Sequence, residues 1–234
     1  MSENAEKVEK TEETEKEKAK SIEETEIAVK EEDLLLPQDT LLSAGIHIGT
    51  RMKTKDIDPF IYRVRPDGLF VLDVKKTDER IRTAAKFLSR FDPAKIVVVA
   101  ARLYGRTPVD KFCEVTGATP LVGRFIPGLF SNPLYPDHIE PGVALVSDPQ
   151  ADTQAVKEAT TIGVPVVALC STDNDFSSVD LAIPTNNKGR RALAVIFWLL
   201  ARQIMREKGE IPPDGDIPLS IDDFEVKLEK EEEE

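Results

Sequence analysis

"KIVVVAARLYGRTPVDKFCEVTGATPLVG", Lys95 to Gly123, is the stretch whose reading decides the fold class. It opens on "KIVVVAA", a run of consecutive apolar residues. Such a run suits a strand buried on both faces of a parallel sheet, not the apolar–polar alternation of a strand with one wet face. "TPVDKFCEVTG" then reads as a helix, with Thr107 as N-cap, Pro108 at the first helical position and Gly117 as the stop. "PLVG" near Leu121 follows as a second, shorter strand. Strand, crossover helix and strand in close succession make a βαβ unit.

The same grammar extends outward. "GLFVLDV" (Gly68–Val74), "VALVSD" (Val143–Asp148) and "VPVVALC" (Val164–Cys170) are further candidate strands, and "DLAI" (Asp180–Ile183) fits an edge or final strand. Helices fill the intervals. "TDERIRTAAKFLSRF" places Ile81, Ala84, Ala85 and Leu88 on one face, with Thr77 as its N-cap. "DPQADTQAVKEATTIG" has Asp148 as cap, Pro149 at the first position and Gly163 as the end; a last helix runs from about Gly189 to Lys208 and closes at Gly209. "LPQDTLLSAG" predicts a short helix ahead of them all. No internal repeat emerges, so a single doubly wound α/β domain is expected.

Length and composition set the bounds. The chain has 234 residues, 41% of them hydrophobic, enough for a sizeable core. The longest apolar run, Ala192 to Ala201, is about half of the ~20 residues a membrane helix needs, so it reads as a buried helix. "MSENAEKVEKTEETEKEK" has no apolar signal region and is too acidic for a transit peptide, which predicts a cytoplasmic protein. Cys113 and Cys170 have no second ligand at zinc spacing and suggest no disulfide framework.

The net charge of −12 is unevenly divided. Residues 1–33 carry −7 and residues 210–234 carry −9, which leaves +4 for residues 34–209. Within that core the window from Arg51 to Lys111 carries +7. Residues 1–33 and 210–234 are therefore read as disordered acidic tails flanking a folded, basic core over 34–209. A basic face predicts a polyanionic partner, and the tails are expected to screen it from nonspecific nucleic acid.

The catalogue of enzyme motifs is empty: no GxGxxG after a strand, no GxxxxGK[ST], no GxSxG and no HExxH. "GIHIG" (Gly45–Gly49) follows a helix, so it reads as a backbone turn that approaches something closely. His47 and His138 lack triad partners. Asp173, Asp175 and Asp180 in "STDNDFSSVD" lack calcium-loop spacing and read as loop polarity. No catalytic residue, metal ligand or cofactor is expected.

Two basic constellations remain. Arg51, Lys53 and Lys55 precede "DPFIYRVRPDG", which adds Tyr62, Arg63 and Arg65. Guanidinium forks meet phosphates and flat side chains stack on unpaired bases, so this pattern suits RNA. The competing reading is a surface hairpin in which the aromatic residues only pack. The second lies at the mouth of the apolar helix, "TNNKGRRALAVIFW". Asn186 and Asn187 suit a left-handed turn, Gly189 permits close backbone approach, and Lys188, Arg190 and Arg191 add charge to a helix N-terminus. Cations there oppose the helix dipole unless an anion compensates, which predicts a phosphate.

The residues from about Leu34 to Gly209 closely resemble the small-subunit ribosomal protein two family in its archaeal and eukaryotic form, the latter including the laminin-receptor-like ribosomal protein. The motifs that carry the resemblance are "LLSAGIHIGTRMKTKDIDPFIYRVRPDGLFVLDVKKTDERI", "RFIPGLFSNPLYP" and "DPQADTQAVKEATTIGVPVVALCSTDNDFSSVDLAIPTNNKGRRALAVIFWLLARQ", in family order. The resemblance implies a three-layer, flavodoxin-like sandwich and a noncatalytic role in the small ribosomal subunit, between head and body on the solvent side. Implied partners are small-subunit rRNA, neighbouring ribosomal proteins and mRNA near its exit, with no membrane. By matched motif the RNA candidates are His47, Thr50, Arg51, Lys53, Lys55, Tyr62, Arg63, Arg65, Lys75, Lys76, Arg80 and Arg82, joined by Asn186, Asn187, Lys188, Arg190 and Arg191. The helical hairpin inserted in the bacterial branch has no room in "VKKTDERIRTAAKFLSRFDPAKI". Two alternatives stay open: a nucleotide-dependent enzyme with a crevice near Asp73 or Ser147, and an adaptor whose acidic C-terminal segment docks a basic protein.

Overall fold

The structure, a computed structural model, describes residues 34–212 and 215–227. The expectation of a disordered tail over residues 1–33 lies outside the described residues, as does the part of the C-terminal tail at 213–214 and 228–234. The described residues divide into two units at Gln38/Asp39, and every strand among them belongs to the second.

The Lys95–Gly123 stretch forms β3 (Ile96–Ala100), α3 (Leu103–Thr116) and β4 (Thr119–Val122), and β3 and β4 pair in parallel. β5 (Val143–Val146), β6 (Val166–Cys170) and β7 (Leu181–Pro184) extend the sheet on the other side of β3, again in parallel. The order β4-β3-β5-β6-β7 is the flavodoxin-like arrangement, with its topological switch between β3 and β5. β3, β5 and β6 are buried at every residue, which is why their sequences are unbroken apolar runs. The short helix expected first is α1 (Gln38–Ser43). One face of the sheet carries α2 (Val74–Leu88), α3 and α5 (Arg190–Lys208). The other carries α4 (Thr153–Ile162) together with Leu129 and Phe130, completing three layers. Glu158 of α4 pins that loop: its carboxylate accepts the backbone N–H of Gly128 at 2.7 Å and of Phe130 at 3.2 Å.

α5 is buried without a break from Ala192 to Arg202, because helices pack on it from both sides and the sheet lies beneath. Phe197 meets Phe112 of α3 edge-on at 5.8 Å. The residues after α5 do not behave as the expected acidic tail over their described length. Residues 215–227 run back along α5 and include α6 (Ile221–Phe224), with Phe224 fully buried. Trp198 Nε1 donates to Leu219 O at 2.8 Å, and Arg202 pairs with Asp216 at 2.9 Å. Few apolar residues suffice here, because Ile217 and Phe224 fill space that the helices leave open.

Several boundaries differ from the sequence reading. "GLFVLDV" is not a strand of the parallel sheet: only Phe70–Leu72 is extended, as β2, antiparallel to β1 (Ile61–Val64) in a separate hairpin. α2 is capped by Asp73, whose Oδ1 accepts Lys75 N at 3.0 Å; Thr77 lies one turn inside and donates to Pro184 O at 2.8 Å. α3 starts at Leu103 and carries Pro108 within it, so Thr107 is no cap. α4 starts at Thr153, not after Asp148. The helix ends at Gly117, Gly163 and Gly209 are as read, each with left-handed backbone.

Candidate nucleic-acid interface

The β1–β2 hairpin and the segment ahead of it are mounted on the β6–β7 side of the sheet. Residues 47–50 run along β2: Leu72 N donates to His47 O at 2.8 Å and Phe70 N to Thr50 O at 3.1 Å. The next residues hold the carboxyl end of β6, where Thr54 N donates to Thr172 O at 3.0 Å and Thr54 Oγ1 to Asn174 O at 2.8 Å. Asn186 N reaches Ile46 O at 3.0 Å and ties the layer to β7. Gly49 is the close approach expected of "GIHIG": a Cβ there would stand 2.5 Å from Thr172 Cγ2 and 2.8 Å from Phe70 O.

On this mount the side chains divide into two groups. Arg51, Lys55, Tyr62, Arg63, Arg65 and Lys75 are exposed, and none of these cations makes an ion pair with a described residue. Tyr62 keeps 70% of its surface in solvent, so its ring does not merely pack. The other predicted residues are engaged. Lys53 pairs with Asp58 at 2.6 Å, and Lys76 donates to Pro59 O. Arg80 lies over the Phe60 ring at 5.3 Å, and Arg82 pairs with Asp78 at 2.8 Å. Thr50 Oγ1 donates to Met52 O at 2.9 Å and meets Thr172 Oγ1 at the same distance. His47 is half-buried with Nδ1 unpartnered; burial, then Arg65 and Arg63, lower its pKa.

The turn before α5 is built differently from its sequence reading. Among the described residues none but glycine has positive φ, so Asn186 and Asn187 do not form a left-handed turn. Both amides are structural. Asn186 Oδ1 accepts Lys188 N and Gly189 N at 3.1 Å each, while its Nδ2 donates to Gly45 O at 3.0 Å. Asn187 is fully buried and donates to Leu169 O and to Asn174 Oδ1, both at 3.0 Å. Lys188 is closed onto Asp173, and Arg190 onto Glu225 at 2.6 Å. The anions that offset these cations at a helix N-terminus are therefore the chain's own carboxylates. Of the five predicted residues, only Arg191 is exposed without an ion pair to a described residue. Gly189 fits because a Cβ would come within 2.9 Å of Asn186 Nδ2.

The switch point, where a nucleotide would sit in an enzyme of this topology, is filled by internal pairs. Asp148 is fully buried, pairs with Arg102 and accepts Asn174 Nδ2 at 3.0 Å. Asp152 accepts Ala101 N at 2.9 Å; burial pushes its carboxyl up to about 6. Among the described residues no group of three or more His, Cys, Asp or Glu is placed to hold a metal ion, and no helix is long and apolar enough to cross a membrane. A second exposed set escaped the sequence reading: Leu103, Tyr104, Arg106 and Arg124 lie on or after α3 and β4, at the carboxyl end of the sheet. The Arg106 guanidinium lies beside Gly123, next to Arg124 in sequence. These residues carry no local pattern, since only the pairing of β3 with β4 brings them together.

Comparison with known proteins gives the same answer along most of the chain. Residues 134–207 match the family model described as Ribosomal protein S2. A protein of Thermofilum pendens named small ribosomal subunit protein uS2 is 55% identical over 203 residues, covering 87% of this chain and 95% of that protein. Proteins of the same name are 56% identical over 198 residues in Staphylothermus marinus, covering 85% of this chain and 90% of the relative, and 58% identical over 196 residues in Saccharolobus solfataricus, covering 84% and 85%. With identity above half over nearly the whole length of these relatives, and with the parallel sandwich in place, the chain belongs to the ribosomal protein S2 family.

Proposed function

We propose that the chain is a structural, nonenzymatic component of the small ribosomal subunit that binds rRNA through the face formed by residues 47–55 and the β1–β2 hairpin. The observation that carries this reading is the set of exposed cations Arg51, Lys55, Arg63 and Arg65, none in an ion pair with a described residue, around the exposed Tyr62. Such cations neutralise phosphates at the cost of hydration alone, and the tyrosine offers a stacking surface to an unpaired base. Recognition is by shape and charge, with phosphate contacts setting position. Further contacts are to neighbouring ribosomal proteins, at a place between head and body near the mRNA exit, in the cytoplasm. There the protein supports subunit assembly and translation. Membership of a ribosomal-protein family weighs against the nucleotide-dependent enzyme, as does a switch point already occupied by the Asp148–Arg102 pair.

The test is position-resolved RNA crosslinking of the protein in purified small subunits. Crosslinks are expected at or beside Arg51, Tyr62, Arg63 and Arg65, and none at Asn187. Crosslinks confined to the α5 turn would overturn the site assignment.

A further inference from the structure

We propose that the free edge of β4 receives an extended segment of another protein that alternates carboxylate and aliphatic side chains. Among the described strands β4 pairs only with β3, which makes it the sheet edge remote from the β1–β2 hairpin. Gly123 N donates to Ala100 O at 2.9 Å, toward β3. Alternation along an extended strand then points the N–H and C=O of Val122, and the C=O of Pro120, away from the sheet. Pro120 has no N–H to offer, so this outward position tolerates it. No described residue meets these groups; Pro120 is exposed and Val122 half-buried. An incoming strand can pair with Val122 and donate to Pro120 O.

The side chains beside this edge set the chemistry of the segment. Arg106, in the first turn of α3, and Arg124, just past β4, are exposed, and neither makes an ion pair with a described residue. The Arg106 guanidinium comes within 3.8 Å of the place a Cβ on Gly123 would take, so the two cations flank the end of β4. They call for carboxylates. Leu103 and Ile126 keep 56% and 48% of their surface in solvent, beside the exposed Tyr104. Leucine and isoleucine gain nothing from phosphate and are covered by apolar side chains, which favours a protein over a nucleic acid. Tyrosine and arginine among aliphatic neighbours, with no lysine, is also the composition of the centre of a protein interface. The inference does not rest on the RNA reading, whose hairpin stands at the other edge.

The experiment titrates the isotope-labelled full chain with the capped peptide Glu-Val-Glu-Val-Glu-Val and follows backbone amide shifts. Saturable shifts are expected at Tyr104, Val122, Gly123 and Arg124. Arg124→Glu is expected to weaken binding about tenfold and Leu103→Ala about threefold, with unfolding midpoints unchanged because both side chains are exposed. The same peptide methylated on its backbone nitrogens should not bind, since strand pairing needs its N–H groups. The proposal is overturned if the methylated peptide, or one with lysine in place of glutamate, moves these amides equally, if Arg124→Glu binds as the parent does, or if the shifts are confined to the hairpin. It is also overturned by another occupant: a uridine decamer that moves these amides more than the peptide does, a second copy seen as shifts on diluting the chain, or residues 1–33 seen as broadening from a spin label at Ser2→Cys. A failure of the RNA reading would show separately, as hairpin amides indifferent to that decamer.

Discussion

Arg51, Lys55, Arg63 and Arg65 stand exposed with no carboxylate of a described residue against them, whereas Lys188 and Arg190, at the other basic turn, are each closed onto a carboxylate of the chain. The two regions carry the same net charge, +3 over residues 51–65 and +3 over residues 186–191. The difference lies in what a phosphate would have to displace. A free cation gives up water; Lys188 would have to leave Asp173, whose side chain is nearly buried and would be left with both oxygens unpaired. On the proposed reading the hairpin is the surface that meets an external anion, while the α5 turn is a joint that fastens β6, β7 and the C-terminal segment to one helix.

The comparison breaks most visibly at the helix itself. Phe197→Ala, at the centre of the buried span and against Phe112, should cost about 3–5 kcal/mol in urea unfolding, because a large cavity opens where nothing can collapse. A loss under 1 kcal/mol would mean that α5 does not anchor the fold. Lys188→Ala should cost about 2 kcal/mol by stranding Asp173, while leaving RNA affinity as it was.

The switch point, by contrast, has a pH signature. The Asp152 carboxyl is raised to about 6 from an ordinary value near 3.8, so between those values the folded state holds the extra proton. The stability this provides is complete below about pH 4 and is lost as pH rises through 6. Asp152→Asn, which keeps an acceptor for Ala101 N, should gain about 1–2 kcal/mol at pH 7 and nothing at pH 4. Equal gains at both values would contradict the assignment. The smallest effect is expected for Arg190→Ala. Its partly exposed pair with Glu225 is worth less than about 1 kcal/mol, and thermal unfolding should detect the loss without any change in subunit incorporation.

The sheet was legible because burial on both faces leaves a local mark, an unbroken apolar run, and because left-handed glycines end helices by a local rule. The N-caps were less legible. Thr77, Thr107 and Asp148 are sound local candidates, yet Thr77 donates to Pro184 and Asp148 takes Arg102 and Asn174, partners tens of residues away. The same limit governs the site. Nothing near Lys188 in sequence shows that Asp173 will reach it, and nothing in the acidic C-terminal segment shows that Glu225 will reach Arg190. The hairpin cations differ in that no described residue far along the chain pairs with them, so their local pattern stands as the proposed site.

The most direct test is the salt dependence of binding to a small-subunit rRNA fragment, measured for the parent chain, for Arg51→Ala/Lys55→Ala/Arg63→Ala/Arg65→Ala, and for Lys188→Ala/Arg190→Ala. Each phosphate contact contributes roughly 0.7–0.9 to the slope of log K against log salt, so the hairpin variant should lose about 3 and the α5 variant nothing. A full slope in the hairpin variant, with the loss in the α5 variant, would contradict the account.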